Sequence, residues 1–265
     1  MKPTWVVCIK QVPTEPLFKR TGDAFQIDRD RTEGILNPYD RSTIDLALDL
    51  RDKAGGIIVA LSMGPPQAEE ALREAMACGA DRAILLSDPA FAGADTLATA
   101  YTLASAIRKL GDFRLILCGA RTLDSDTAQV GPQIAEFLDL PMAAYVDKAS
   151  FKGGSLRVER RLDGTRERLL LPLPALITVA GRLETERRLS LGSVERAFGK
   201  PVIARWGKED LDVDPGRIGW KGSATVASEY ETWEHSRSGE IVRAKPAEAA
   251  DRILQVLKKR NVLGG

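Results

Sequence analysis

Residues 114–138 read RLILCGARTLDSDTAQVGPQIAEFL. The apolar run RLILCG (114–119) has the length and composition of a buried strand. Further on, Val130, Ile134, Phe137 and Leu138 recur at helical spacing and share one face. A strand thus feeds a helix through a crossing that holds two Asp, two Thr, a Ser and a Gln, more small hydrogen-bonding groups than a turn and a cap require. The same alternation precedes it. WVVCIK (5–10), GIIVALSMG (56–64) and RAILLSD (82–88) read as strands. YDRSTIDLALDLRDKAG (39–55) has an apolar face of Ile44, Leu46, Ala47, Leu48 and Leu50, and Gly55 stops it. PQAEEALREAMACG (66–79) is a helix opened by Pro and closed by Gly79. DTLATAYTLASAIRKLG (95–111) is another, with Asp95 as its N-cap. This alternation predicts an α/β fold with a doubly wound, mostly parallel sheet, helices on both faces, and parallel pairing between 56–62 and 114–118.

The pattern changes after Pro141. Residues 143–180 carry turn signals at Lys152-Gly153-Gly154 and Asp163-Gly164, with alternating runs such as LRVERRL between them, which predicts an antiparallel β-meander. Residues 11–36 are polar and turn-rich, a loop or a small hairpin excursion. Residues 205–245 show little periodicity, and 246–263 form a closing amphipathic helix with Lys258, Lys259 and Arg260 in its last turns. The expected division is a domain over 1–205 and a C-terminal arm with its helix over 206–265.

Composition narrows the function. Lys and Arg total 38 against 37 Asp and Glu, so no excess of positive charge points to a nucleic-acid partner. Cys8, Cys78 and Cys118 are scattered without CxxC spacing, which fits a reducing compartment. The single histidine, His235, argues against a His-rich metal site and a Ser–His triad; no metal is expected. No apolar run reaches the ~18 residues of a membrane span, and no cleavable leader pattern is present. The expectation is a soluble cytoplasmic protein without direct membrane insertion.

Ligands of parallel sheets bind at the carboxyl ends of the strands. Those ends carry Cys8-Ile9-Lys10, Ser62-Met63-Gly64-Pro65, Ser87-Asp88 and Cys118-Gly119. The helix after residue 129 offers free N–H groups and a positive dipole end suited to a phosphate, and Thr127 and Gln129 can add donors. The aspartates suit N-capping, ribose hydroxyls or an adenine amino group instead. A plainer account makes Asp126 or Thr127 a simple N-cap and Gly131-Pro132 a rigid first turn; on the local residues the two stand level. Neither GxGxxG nor GxxxxGK[ST] occurs. Asn37, held extended by Pro38, opens either a second ligand wall or merely a capped helix. Cys8 and Cys118 read as small core residues, His235 as a solvated side chain, and Trp5, Trp206, Trp220 and Trp233 lack the spacing of a stacking platform.

Five blocks resemble, in order, the β subunit of electron transfer flavoprotein: CIKQVP (8–13), NPYDRSTIDLAL (37–48), SMGPPQAEEALREAMACGADRAI (62–84), LILCGARTLDSDTAQVGPQIAEFL (115–138) and LRVERRLDGTRERLLLPLPALITV (156–179). The resemblance implies a domain of the adenine-nucleotide-hydrolase-like type, paired as a heterodimer with a FAD-bearing α subunit. It implies a nucleotide, AMP or a second FAD, lined by Cys8, by Asn37, Pro38, Tyr39 and Asp40, and by Met63. Gly119, Arg121, Thr122, Asp124, Ser125, Asp126, Thr127, Ala128, Gln129, Val130 and Gly131 would cradle the rest. Members that hold only AMP usually carry an Asn-Gln-Thr-Gly-like stretch there, whereas electron-bifurcating members resemble DTAQVGP, which residues 126–132 show, so FAD is expected. Partner recognition would fall on LETERRLSL (183–191), with Leu183, Glu186, Arg187 and Leu189; Glu186 stands where the family usually has Pro. The tail YETWEHSRSGEIV (230–242) also departs from the usual Pro-Pro-x-Arg pattern.

Three functions follow. The first is an electron carrier, without catalytic acid–base residues, between flavins and an acyl-CoA-dehydrogenase-like or quinone-reducing partner. The second is a bifurcating complex in which this chain's FAD receives hydride from NADH. The third is a nucleotide-sensing protein of the same fold with no redox role, against which the meander and the long tail count.

Overall fold

A computed structural model describes residues 2–15, 17–21, 24–28, 31–180, 187–199, 203–229, 239 and 241–262. In chain order the elements are β1 (Thr4–Cys8), β2 (Gln11–Pro13), β3 (Phe18–Thr21), β4 (Ala24–Ile27), β5 (Gly34–Leu36), α1 (Pro38–Ala54), β6 (Ile57–Met63), α2 (Glu69–Cys78), β7 (Arg82–Leu86), α3 (Thr96–Leu110) and β8 (Leu115–Gly119). Then come α4 (Val130–Phe137), β9 (Met142–Lys152), β10 (Ser155–Leu162), β11 (Thr165–Leu171), β12 (Ala175–Val179), α5 (Leu191–Gly199), β13 (Ile203–Trp206), α6 (Gly219–Gly222) and α7 (Pro246–Lys259).

Nine strands form one sheet in the order β11-β10-β9-β12-β8-β1-β6-β7-β13. From β9 to β13 every neighbouring pair is parallel, while β9, β10 and β11 pair antiparallel. The expected alternation of strand and helix is present. Two expectations are corrected. The strands at 56–62 and 114–118 are not neighbours: β1 lies between β6 and β8 and pairs in parallel with both. Val6 and Val7 are fully buried on its two opposite faces, as suits a central strand. The antiparallel meander ends at β11; β12 returns to the parallel sheet between β9 and β8. All five residues of β12, ALITV, are buried, which is the mark of an interior strand rather than a half-solvated one. The 11–36 excursion pairs as β2 with β5 and β3 with β4. Strand β13, in a stretch without visible periodicity, adds to the edge beside β7.

Successive residues of each inner strand serve opposite layers. Val7, Ile58, Ala60, Leu117 and Ile177 pack with Ile44, Leu48, Leu72 and Ala75 of α1 and α2. Val6, Val59, Ile84, Ile116 and Leu176 pack with Leu103, Ile107, Ile134 and Ala135 of α3 and α4. Helices therefore cover both faces. Helix ends follow their local chemistry. Asp95 caps α3 by accepting from the Ala98 N–H at 3.0 Å, and Gly79 closes α2 with φ +122°, where a side chain would be strained.

The chain divides into two compact units, Met1–Glu229 and Tyr230–Gly265. The second contains α7, whose Ile253 and Leu254 are exposed and none of whose residues is buried. Among the described residues no helix is long and apolar enough to cross a membrane.

Helix α4 sits close on β12. A Cβ on Gly131 would lie 2.5 Å from the Thr178 methyl carbon. Gly131→Ala is expected to destabilise the fold by about 1–3 kcal/mol, despite alanine's better helix propensity. Adding Thr178→Ser, which removes the obstructing methyl and keeps the hydroxyl, should recover most of that loss in chemical denaturation.

Candidate functional site

The sheet's central strands β1 and β8 end side by side, and one carboxylate ties the two ends together. Asp40, in the first turn of α1, accepts from the Lys10 N–H through Oδ2 at 2.8 Å and from the Gly119 N–H through Oδ1 at 3.2 Å. Gly119 has to be glycine: a Cβ there would stand 2.2 Å from Asp40 Oδ1 and 3.0 Å from Tyr39 Cβ. Burial pushes the Asp40 carboxyl up to about 7, against the opposing pull of the Lys10 N–H, Asn37, the Gly119 N–H and the Lys10 charge.

Asn37 precedes α1 and is fully buried. It occupies the cap position but makes no side-chain cap bond. Its N–H donates to the Lys10 carbonyl at 3.0 Å and its Nδ2 to the Arg121 carbonyl at 2.9 Å. Its Oδ1 is buried without a hydrogen-bond partner, an expensive state for an amide oxygen. Pro38 is exposed and Tyr39 half-buried at the same corner.

The crossing after β8 is organised largely by its own polar groups. Lys10 Nζ reaches across to Asp124, 2.6 Å from Oδ2 and 2.8 Å from Oδ1. Ser125 Oγ donates to Asp124 Oδ1 at 3.2 Å and lies 3.2 Å from Thr122 Oγ1. The Asp126 N–H donates to the Thr122 carbonyl at 3.1 Å, and Arg121 Nη1 stands 3.3 Å from Asp126 Oδ2. Asp126 and Ala128 both adopt left-handed backbone, φ +49° and +57°, conformations that concentrate where a loop is held for a purpose. Helix α4 starts only at Val130; the cap position is Gln129, with no side-chain cap bond. Neither Asp126 nor Thr127 is therefore the N-cap, and Thr127 is exposed. Gln129 Oε1 instead accepts from Thr96 Oγ1 at 2.9 Å, and Gly131 lies in the helix's first turn against β12. The first turn of α4 thus keeps N–H groups that no side-chain cap occupies.

Cys8 and Cys118 face each other in register and are free thiols. The neighbouring Cys8 and burial push the Cys118 thiol well above its ordinary range, so it stays protonated and adds no charge. Met63 ends β6, half-buried. The structure thus draws residues 8, 37–40 and 119–131 to the adjoining ends of β1 and β8, with Met63 at the end of the next strand. Two further residues belong to this corner. Lys10 was visible only as a strand-end residue. Tyr145 of β9, whose N–H donates to Thr178 Oγ1 at 3.0 Å, carries no sequence signal, because it sits at an irregularity in the pairing of β9 with β12. A separate cavity of about 930 Å³, walled by α3, α4 and the 210–217 segment, shares no residue with this crevice.

Of the expected partner-recognition residues, Leu183 and Glu186 lie outside the described residues, as do His235 and most of the 230–242 tail. Arg187 is bound within the chain: its Nη2 lies 2.5 Å from Asp49 Oδ1 and 2.8 Å from Asp52 Oδ2. Leu189, Leu191 and Phe198 are exposed beyond it.

Residues 24–199 match the electron transfer flavoprotein domain family. Electron transfer flavoprotein subunit beta of Thermoanaerobacterium thermosaccharolyticum is 40% identical over 97% of this chain and 99% of its own length. Protein FixA of Bradyrhizobium diazoefficiens is 41% identical over 95% of this chain and 88% of its own. The Caffeyl-CoA reductase-Etf complex subunit CarD of Acetobacterium woodii is 35% identical over 97% and 99%. The chain belongs to the electron transfer flavoprotein family.

The buried Asp40 carboxyl makes stability pH-dependent in a definite direction. Its pKa in the fold is about 7, above the ordinary 3.8, so between those values the folded chain binds more protons than the unfolded one. Stability is therefore lost as pH rises through that window, by on the order of 4 kcal/mol at full effect. Urea midpoints of the wild type and Asp40→Asn, followed from pH 4 to pH 7.5, should show the wild type declining relative to the variant. A constant difference would mean that the backbone donors keep Asp40 ionised throughout.

Proposed function

We propose that this electron transfer flavoprotein chain works as a β subunit, paired with a FAD-bearing α subunit, and holds an adenine nucleotide in the crevice between residues 37–40 and 119–131. The observation that carries this is the fully buried Asn37 with its unpartnered Oδ1. A nucleotide offers what that oxygen lacks, a ribose hydroxyl or adenine amino donor. Its phosphates suit the uncapped first turn of α4. The residues present therefore fit the group that the family implies.

In this reading the nucleotide is FAD. DTAQVGP at 126–132 supports it, as does the small side chain of Ala128, which leaves room for a ligand longer than AMP. Bound FAD supplies acceptance of electrons singly or in pairs, including hydride from NADH if the complex bifurcates. This chain's residues do the rest without acid–base chemistry. Asp40, Asn37 and Lys10 fix the crevice walls, Cys8 and Met63 close it with uncharged surface, and the loop backbone orients the diphosphate. The domain is then of the adenine-nucleotide-hydrolase-like type. Residues 206–265 form the arm that contacts the α subunit. Recognition of an acyl-CoA-dehydrogenase-like or quinone-reducing partner falls to the 183–191 segment, of which Leu189 is exposed.

Co-expression with the α subunit, followed by denaturation and counting of released ligands, tests the reading. Two FAD per heterodimer are expected. One FAD and one AMP, with no second FAD regained in excess flavin, would leave an AMP-holding β subunit. In the same assay Asn37→Ala should weaken nucleotide retention by about 1–3 kcal/mol. Full occupancy of that variant after dialysis would show that the nucleotide lies elsewhere.

A further inference from the structure

After β13 the chain is fastened along α3 before the second unit begins at Tyr230. The Asp214 N–H donates to the Tyr101 hydroxyl at 2.9 Å, and the Arg217 guanidinium lies 4.2 Å from the centre of the Tyr101 ring. Leu211 and Ile218 are buried in the layer of α3 and α4. The Trp220 N–H donates to the Ala92 carbonyl at 3.0 Å. The Trp220 indole covers Gly93, where a Cβ would stand 2.0 Å from Trp220 Cε2.

The densest fastening is built on Asp95, whose two carboxylate oxygens serve different partners. Oδ1 accepts from the Ala98 N–H at 3.0 Å and caps α3. Oδ2 accepts from the Ala224 N–H at 2.8 Å, the Thr225 N–H at 3.0 Å and the Thr225 hydroxyl at 3.1 Å. The Asp95 N–H in turn donates to Ser223 Oγ at 2.8 Å. That hydroxyl's hydrogen is shared between the Gly219 and Gly93 carbonyls, at 2.9 and 3.0 Å. Burial pushes the Asp95 carboxyl up, but the Ala98, Thr225 and Ala224 donors outweigh it and hold the group below its ordinary range. An N-cap needs only Oδ1. Three donors on Oδ2, from residues 129 and 130 positions away, exceed what α3 requires. A further bond, from the Phe25 N–H to the Ala227 carbonyl at 2.8 Å, continues the run.

We propose that Asp95 is a positioning residue for the C-terminal arm: it clasps residues 223–225, so that the chain beyond Glu229 leaves the first unit from a fixed root. A tether held at its root has less slack and loses less freedom when it docks, so the clasp favours association with the α subunit. The inference rests on the reading of this chain as a β subunit whose arm contacts an α subunit.

Heterodimers of the full-length chain are mixed with an excess of fluorescently labelled α subunit, and subunit exchange is timed for wild type, Asp95→Asn and Thr225→Val. Asp95→Asn keeps an oxygen for the Ala98 N–H but sets an amide NH2 against the donors of residues 224 and 225. Thr225→Val removes one donor and leaves the cap untouched. Both should exchange faster, Asp95→Asn about three- to tenfold, the scale of one lost hydrogen bond. Backbone hydrogen exchange should quicken over 219–229 and stay unchanged through α3, and bound nucleotide should be retained. Loss of protection through α3 in Asp95→Asn, with Thr225→Val exchanging subunits at the wild-type rate, would make Asp95 merely a helix cap and overturn the proposal. Wild-type rates in both variants would overturn it as well, leaving the β-subunit reading intact. A wild type that forms no complex with the α subunit would overturn that reading itself.

Discussion

The geometry at the sheet's centre depends on one buried carboxylate. Two central parallel strands end beside each other, and Asp40 accepts a backbone N–H from just beyond one and from the end of the other. Those donors point out of the ladder and would otherwise need water. The arrangement dictates its surroundings. Gly119 must lack a side chain to admit the carboxylate. Helix α1 must begin at Pro38 to bring Asp40 over the strand ends. Asn37, one turn earlier, is thereby driven into the interior with an oxygen unmatched. The desolvation of Asp40 is the cost of joining two strands and a helix at one point.

Legibility in the sequence followed the physical range of each interaction. The inner strands were plain because their runs are apolar on both faces, and α1, α2 and α3 because caps and periodicity are local. Asp95 is a clear instance: its partner, the Ala98 N–H, is three residues away. Strand order was not legible, since nothing in WVVCIK states that it lies between β6 and β8. The last strand of the expected meander, ALITV, is parallel instead, and its direction is not legible because a short, fully buried run carries no orientation. At the crevice, the residue types of 119–131 were recognisable, but their uses were not. Asp126 and Thr127 looked like caps, and the helix begins beyond them at Val130. Tyr145 could not be found from sequence, because its orientation comes from a slip in strand register.

The small polar residues of the crossing answer to two demands at once. Lys10, Thr122, Asp124, Ser125 and Asp126 satisfy one another, which stiffens a loop that would otherwise be free to collapse onto the strand ends. What stays available is the opposite of a flexible surface: a buried amide oxygen and the first turn of a short helix. Such preorganisation suits a group that must be retained rather than exchanged.

The central position of β1 has a consequence for how the molecule assembles. Thr4 lies opposite Ile57 and Trp5 opposite Leu115, so neither edge of that strand is satisfied by a sequence neighbour. Each half of the sheet can form locally through its own helices, but they join only when this segment has threaded between them. Closing such distant contacts is entropically slow. Until it happens, the carboxyl ends of β1 and β8 are not adjacent and the crevice does not exist. A chain caught at that stage would show helices and strands in full measure and yet have an open seam down its middle, a natural target for chaperones and for misassembly between copies.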